Sequence, residues 1–286
     1  SLSLCLPFTV HPYSDSLAHF FPQQLYVIMT IPSKMAGVLA RQSGKPAVLE
    51  YTRDLKVPSP GAGELLVKTS AVGVNMIDTY RRSGLYPAVF PHIPGGEGTG
   101  IVLAHGEGDD LAGSFPVGSR VAFLTGGFGA YAQYVAVPAA TTIVLPDSVP
   151  DDIGAALLLQ GLTAHYLVTD IGRVQPGDAV LVHAGAGGTG RLISGLCRAA
   201  GATTIIATTS TPEKAEIALN AGATHVIRSD TCEDLAGEVR ELTGGEGVRV
   251  AFDGVGKATF RQSLAALRRR GVLALFGNAS GAVPPI

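Results

Sequence analysis

The sequence predicts an α/β protein, with a compact β-barrel-like half followed by a doubly wound parallel sheet. Three observations carry that expectation. From about Ala36 to Pro150, short β-rich runs are separated by Gly and Pro. From about Gly161 onward, apolar runs alternate with helical patterns. The first of those runs opens into "HAGAGGTG", His183 to Gly190, whose glycines are spaced as a strand-to-helix turn requires.

In the first half the clearest strands are "ELLVKTSAVGVN" (64–75), "GIVLAH" (100–105), "SRVAFL" (119–124) and "YAQYVAV" (131–137). The pattern "DDIGAALLLQGLTAHYLV" (151–168) reads as a helix linking the halves. Next come strand "AVLVH", a helix through "RLISGLCRAAG", strand "TTIIA" and a helix through "PEKAEIALNAG". "HVI", a helix around "CEDLAGEVREL", "VRVAF", a helix through "KATFRQSLAAL" and "VLALF" complete the alternation. Five strands with intervening helices imply right-handed crossovers and a parallel sheet. The cluster Arg268 to Arg270 is expected at a solvated helix end, where cations offset the macrodipole.

Gly185, Gly187 and Gly190 match GxGxxG, with Gly188 an additional glycine. The first is expected to permit the tight turn and the second to admit a pyrophosphate to the backbone. The third is expected to let helix and strand pack closely. Gly185, Ala186, Gly187, Gly188, Thr189 and Gly190 are therefore read as a dinucleotide cradle at a helix N-terminus. An NAD site places an acid at the end of the second strand, about twenty residues on. Here "IIATTSTPEK" (205–214) offers hydroxyls, and its first acid, Glu213, belongs to the first turn of the next helix. Ser210 and Lys214 are thus expected on a 2′-phosphate, which selects NADPH.

Bulk properties narrow the class. The chain has 286 residues and a formal net charge of −2, so no global basic field gathers nucleic acid or anionic lipid. Nucleic acid is not expected as a partner, and no apolar run reaches membrane-spanning length. Cys5, Cys197 and Cys232 lack CxxC spacing, which points to a reducing, cytoplasmic compartment. Residues 1–34 carry neither a signal-peptide pattern nor a presequence pattern and are expected to be a poorly ordered extension. The expected division is that extension, a catalytic domain at 35–155 and a nucleotide-binding domain at 156–286.

"VGVNMIDTYRRSGLYP" (72–87), "PGGEGTGIV" (94–102), "GAYAQYV" (129–135), "LQGLTAHYL" (159–167), "HAGAGGTG" and "FGNASGA" (276–282) stand in register with a known family. The chain resembles the zeta-crystallin-like quinone oxidoreductases of the medium-chain dehydrogenase/reductase superfamily. That resemblance implies a GroES-like barrel, a Rossmann domain, NADPH and a homodimer in the full-length form. The family continues past "FGNASGA", so the nucleotide-binding domain is expected to lack its C-terminal part.

Zinc dehydrogenases of the superfamily carry a cysteine where this chain has Asn75 and a histidine where it has Gly96. Neither residue is a zinc ligand, so the resemblance implies a zinc-independent NADPH:quinone oxidoreductase, with Glu97 structural. A quinone or conjugated enone is already electron-poor, and positioning beside the nicotinamide then carries most of the catalysis. No catalytic acid or base is singled out. Asn75, Tyr80 and Tyr86 are placed at substrate and nicotinamide, and Thr163, Val255, Phe276, Gly277 and Asn278 along the cofactor. Asp78 is read as a hydrogen-bond anchor, and His165 and His183 as core residues. Ser229 stands where many relatives carry an aromatic ring or histidine, and Arg228 beside it is expected to contact phosphate. The alternatives are an alkenal or enone double-bond reductase and a non-catalytic, crystallin-type NADPH-binding protein.

Overall fold

The computed structural model describes residues 31–108 and 110–285. The extension expected at 1–34 lies outside the described residues as far as residue 30. In the first half, β1 (Lys34–Ala40) and β2 (Leu49–Lys56) pair antiparallel. Then follow β3 (Glu64–Val72), α1 (Met76–Ser83), β4 (Glu97–His105) and a single turn, α2 (Leu111–Ser114). β5 (Arg120–Leu124), β6 (Tyr134–Pro138) and β7 (Thr142–Val144) complete a five-stranded antiparallel sheet of order β6-β3-β4-β5-β7. Single bridges from Gly37 to Ala132 and from Ala40 to His92 fold the β1–β2 pair against it. Leu65, Val67, Val102, Val121, Phe123 and Val137 form a buried apolar interior. Burying each such side chain stabilises by roughly 1.5–3 kcal/mol.

The expected strand 64–75 stops at Val72, because Asn75 turns the chain into α1. The Asp78 carboxylate accepts the Asn75 N–H at 3.0 Å, and Gly84 at φ 83° ends the helix. Asp78 also accepts from the Tyr131 hydroxyl at 2.7 Å, which makes it the expected anchor.

The linking segment is not one helix. It divides into α3 (Asp151–Ala155), α4 (Leu158–Tyr166) and a π turn over Leu167–Ile171. Beyond it run β8 (Ala179–Val182), α5 (Gly188–Ala199), β9 (Thr204–Thr209), α6 (Pro212–Asn220) and β10 (His225–Arg228). α7 (Leu235–Leu242), β11 (Val248–Asp253), α8 (Phe260–Ala265) and β12 (Leu267–Leu275) follow. All pairs in this sheet are parallel, in the order β10-β9-β8-β11-β12. Strand order reverses between β8 and β11, which opens a crevice at their C-terminal ends. Alternate residues face opposite helical layers: Val180, Val182, Ile205 and Phe252 pack with α4 and α5, while Leu181, Ile206 and Ala251 pack with α7.

Two expectations are corrected here. Arg268–Arg270 does not end a helix but enters β12, where the register slips between Val248 and Val250 and Arg270 sits at φ 62°. Arg268 donates to Asp178 at 3.2 Å. His165 is exposed on α4, since its neighbour Ala164 occupies the buried position.

Candidate active site

The cradle forms where β8 meets α5, but its glycines divide the work differently from expectation. The left-handed turn falls on Ala184 at φ 50°, not on Gly185. Gly185 is required by close approach, since a Cβ there would stand 2.5 Å from the Ala207 Cβ on β9. A Cβ on Gly190 would overlap the Ala184 carbonyl, so this position does bring helix and strand together as expected. The first α5 residue whose N–H finds a backbone acceptor is Arg191, which donates to Gly187 O at 2.9 Å. The N–H groups of Gly188, Thr189 and Gly190 precede it, where a helix start is electropositive.

On one side of the cradle lies a cavity of about 450 Å³ lined by Ala186, Thr208, Thr209, Ser210, Lys214 and Ser229, among others. Lys214 Nζ donates to Ser210 Oγ at 3.2 Å, and Thr209 Oγ1 is buried with no partner. Thr211 caps α6 by accepting the Lys214 N–H at 3.3 Å, with Pro212 in the first turn. No carboxylate stands at the end of β9. Glu213 is exposed, and its hydrogen bond to Thr211 holds its carboxyl below the usual value. Arg228 is not brought into this cavity. Its guanidinium pairs with Asp230, with Nε 3.1 Å from Oδ1, while Ser229 Oγ donates to Thr209 O at 3.1 Å. Cys232 shares the wall, with its thiol pushed up to about 11 chiefly by burial.

Beneath the cradle a polar chain joins four elements. The Ser263 hydroxyl donates to Asp253 Oδ2 at 2.7 Å, and His183 Nε2 lies 2.9 Å from Ser263 Oγ. His183 Nδ1 lies 3.2 Å from Thr208 Oγ1, which accepts the Ala184 N–H at 3.3 Å. With Ser263 donating to the carboxylate, every group is satisfied when His183 carries its proton on Nε2 and Thr208 donates to Nδ1. Burial pushes the His183 pKa down and keeps the ring neutral. Asp253 also accepts from the N–H groups of Val255 and Gly256 and from Thr259. His183 is thus a core residue as expected, and it also holds the turn under the cradle.

On the other side lies a cavity of about 510 Å³, which shares His183, Ala184, Gly187 and Val255 with the first. The two form one cleft across the cradle. This end is walled by Asn75, Tyr80, Tyr86, Gln160, Thr163, Thr189, Phe276 and Gly277. Tyr80 Oη accepts the Asn278 N–H at 3.1 Å, and Tyr86 Oη accepts from Asn278 Nδ2 at 2.8 Å. The two rings stand 5.2 Å apart. Each hydroxyl therefore keeps its own proton for a ligand oxygen. Burial raises the Tyr80 pKa, so that proton stays in place at neutral pH. Thr163 Oγ1 donates to Leu159 O at 2.6 Å.

Asn75 is engaged internally. Its Nδ2 donates to Glu97 Oε1 at 2.6 Å, and its Oδ1 accepts from Gln160 Nε2 at 3.1 Å. Glu97 is fully buried, accepts the Leu159 N–H at 2.8 Å, and has its pKa raised by burial. Among the described residues no group of three or more His, Cys, Asp or Glu is placed to hold a metal ion. The residues missed in the sequence are Gln160 and Asp253. Gln160 sits inside a quoted motif, but its partner lies 85 positions earlier in the chain. Asp253 had a local signal, an acid closing an apolar strand ahead of a glycine.

Comparison with known proteins agrees with this architecture. The family model of the alcohol dehydrogenase GroES-like domain matches residues 61–147, and that of the zinc-binding dehydrogenases matches 188–285. A probable quinone oxidoreductase of Schizosaccharomyces pombe is 43% identical over 249 residues, which span 87% of this chain and 73% of that protein. A 2-haloacrylate reductase of a Burkholderia species is 42% identical, over 88% of this chain and 75% of its own. The solved Escherichia coli quinone oxidoreductase, complexed with NADPH, superposes with a TM-score of 0.82 at 38% identity, covering 88% of this chain and 76% of that one. Among the described residues no helix is long and apolar enough to cross a membrane.

Proposed function

The chain belongs to the quinone oxidoreductases of the medium-chain dehydrogenase/reductase superfamily, and from that premise we propose that it is a zinc-independent NADPH:quinone oxidoreductase. It is an NADPH-dependent oxidoreductase, and the cleft fits that coenzyme along its length. The unpaired N–H groups of Gly188 to Gly190 suit a pyrophosphate. The Ser210, Lys214 and Ser229 wall, with the unpartnered Thr209 hydroxyl, suits a 2′-phosphate. When bound, NADPH supplies the reducing equivalents.

The observation that carries the zinc-free reading is the engagement of Glu97. Both of its oxygens are taken, by Asn75 and by Leu159, and the residue before it is Gly96. A carboxylate held this way is a structural acceptor. The protein's part is then to hold a flat, electron-poor acceptor between Tyr80, Tyr86 and Phe276, and to donate hydrogen bonds from the tyrosine hydroxyls to its oxygen. A conjugated enone meets the same wall, and the likeness to the 2-haloacrylate reductase supports that second acceptor class.

NADPH consumption with 1,4-benzoquinone, 9,10-phenanthrenequinone and a linear alkenal, with zinc measured on dialysed protein, tests the reading. Turnover of the quinones with far less than one zinc per chain is expected. Stoichiometric zinc with activity lost to chelators overturns the zinc-free assignment, and turnover of the alkenal alone overturns the quinone. Homodimerisation and a reducing compartment belong to the same proposal. Cys197 and Cys232 are both free thiols, which suits such a compartment.

A further inference from the structure

Three polar groups run in line from the barrel core to the start of α5. An ionised carboxylate only accepts hydrogen bonds, so Glu97 turns the Asn75 amide with its nitrogen inward and its oxygen toward the cleft. That oxygen takes the Gln160 nitrogen at 3.1 Å, which turns the Gln160 oxygen outward. Outward means against Gly188, where a Cβ would overlap Gln160 Oε1. The additional glycine of the cradle thus has a local reason: it leaves room for this amide.

We propose that Gln160 is a positioning residue whose amide, oriented by Asn75 and Glu97, sets the hydrogen-bonding sense that a dinucleotide's pyrophosphate meets at the start of α5. The inference rests on the coenzyme reading above. As the amide stands, an acceptor oxygen lies beside the donors of Gly188 to Gly190. A pyrophosphate seeking the same donors meets that oxygen and turns or displaces it. The movement breaks the Gln160–Asn75 hydrogen bond and leaves Asn75 Oδ1 free to accept from the far half of the ligand. Occupation of the cradle is thereby felt at the barrel side of the cleft.

Three substitutions separate this from simple packing. Gln160→Glu cannot donate to Asn75 and places a negative charge beside the pyrophosphate. Gln160→Met removes the acceptor without adding charge. Glu97→Gln keeps an oxygen for the Leu159 N–H but offers an NH₂ to Asn75. The Asn75 amide then turns over, Gln160 follows, and a donor faces the anion.

NADPH binding is read from the coenzyme's own fluorescence, since the chain contains no Trp. The expected order of Kd is Glu97→Gln below wild type, Gln160→Met at or below wild type, and Gln160→Glu at least tenfold above it. The two Gln160 substitutions are thus expected to part from each other in Kd, which a merely structural role of this side chain would not produce. Equal weakening by both Gln160 variants overturns the proposal, as does no change in either. If Glu97→Gln does not fold, the two substitutions at half-buried Gln160 decide alone. Failure of wild type to bind NADPH overturns the coenzyme reading and this inference together. Binding by wild type with indistinguishable Gln160 variants overturns only this inference.

Discussion

The two ends of the cleft are built in opposite ways. The end beside Ser210 and Lys214 draws much of its wall from one stretch of chain, His183 to Lys214, and the rest from residues between Ile217 and Gln262. The end beside the two tyrosines gathers Asn75, Tyr80, Tyr86, Gln160, Thr163, Phe276 and Gly277 from distant parts of the sequence. At the first, function follows from turn and capping chemistry, which is local. At the second, it follows from side chains that meet only after folding, such as Asn278 on Tyr86, 192 positions apart. The locally built cradle, whose Gly188 to Gly190 line the second cavity, should therefore fail sharply at a single backbone position, and the assembled side-chain walls should lose function in small steps.

The largest expected effect is at Gly190. A Cβ there would overlap the Ala184 carbonyl and lie 2.9 Å from Gly185 Cα, and backbone atoms do not yield as a flexible side chain does. Gly190→Ala is expected to weaken NADPH binding on the order of a hundredfold and to lower the thermal midpoint. Tyr86→Phe, which removes one hydroxyl, should cost only about 1 kcal/mol in kcat/KM, about fivefold. Equal losses at both positions, measured by coenzyme titration and steady-state kinetics, would break the contrast.

Next in size is coenzyme choice. The cradle meets a pyrophosphate common to NADH and NADPH, so discrimination falls to the Ser210–Lys214 wall. Lys214→Glu should raise KM for NADPH at least tenfold, a charge-assisted contact of roughly 1.5–3 kcal/mol, and leave NADH use nearly unchanged. Ser210→Asp should shift preference in the same direction. Arg228 is tied to Asp230, so Arg228→Ala should change the ratio far less. An Arg228 effect as large as that of Lys214 would return this residue to the phosphate site.

The same contrast explains what was legible in the sequence. The doubly wound half is nearly all there in the apolar runs, because strands buried on both faces read as continuous hydrophobic stretches. β2, "LEYTRDLK", is mostly exposed and carries charges along its length, so its pattern gave no core face to detect. Arg268–Arg270 carries no sign of its strand because α8 ends early and β12 begins at once, with no loop residue between them beyond Ala266. At the site, glycine spacing gave the cradle but not the division of labour within it. The turn fell on Ala184, because the turn and the close approach to Ala207 are separate demands on neighbouring residues. Asn75 lies in the cleft as expected, yet its partner Gln160 is visible only once α4 reaches the start of α1.

The smallest expected effect, a pH dependence of stability, belongs to the assembled end. Burial raises the Glu97 pKa above the ordinary carboxylate value, against the opposing hydrogen bonds from Asn75 and Leu159. An acid whose folded value is raised binds its proton more tightly in the folded state. Between the unfolded and folded values the native chain therefore carries more protons, and this group's contribution to stability falls as pH rises through that window. On acidification into the ordinary carboxylate range the wild type should gain thermal midpoint relative to Glu97→Gln, which has no proton to take up. Other groups titrate in both proteins and cancel in the difference. The readout is a change of a few degrees at most in the difference between two melting curves. A difference that moves the other way, in favour of the wild type as pH rises, would mean that the hydrogen bonds outweigh burial. Glu97 would then be a carboxylate stabilised in its charged form, with a firmer hold on Asn75 than the raised value implies.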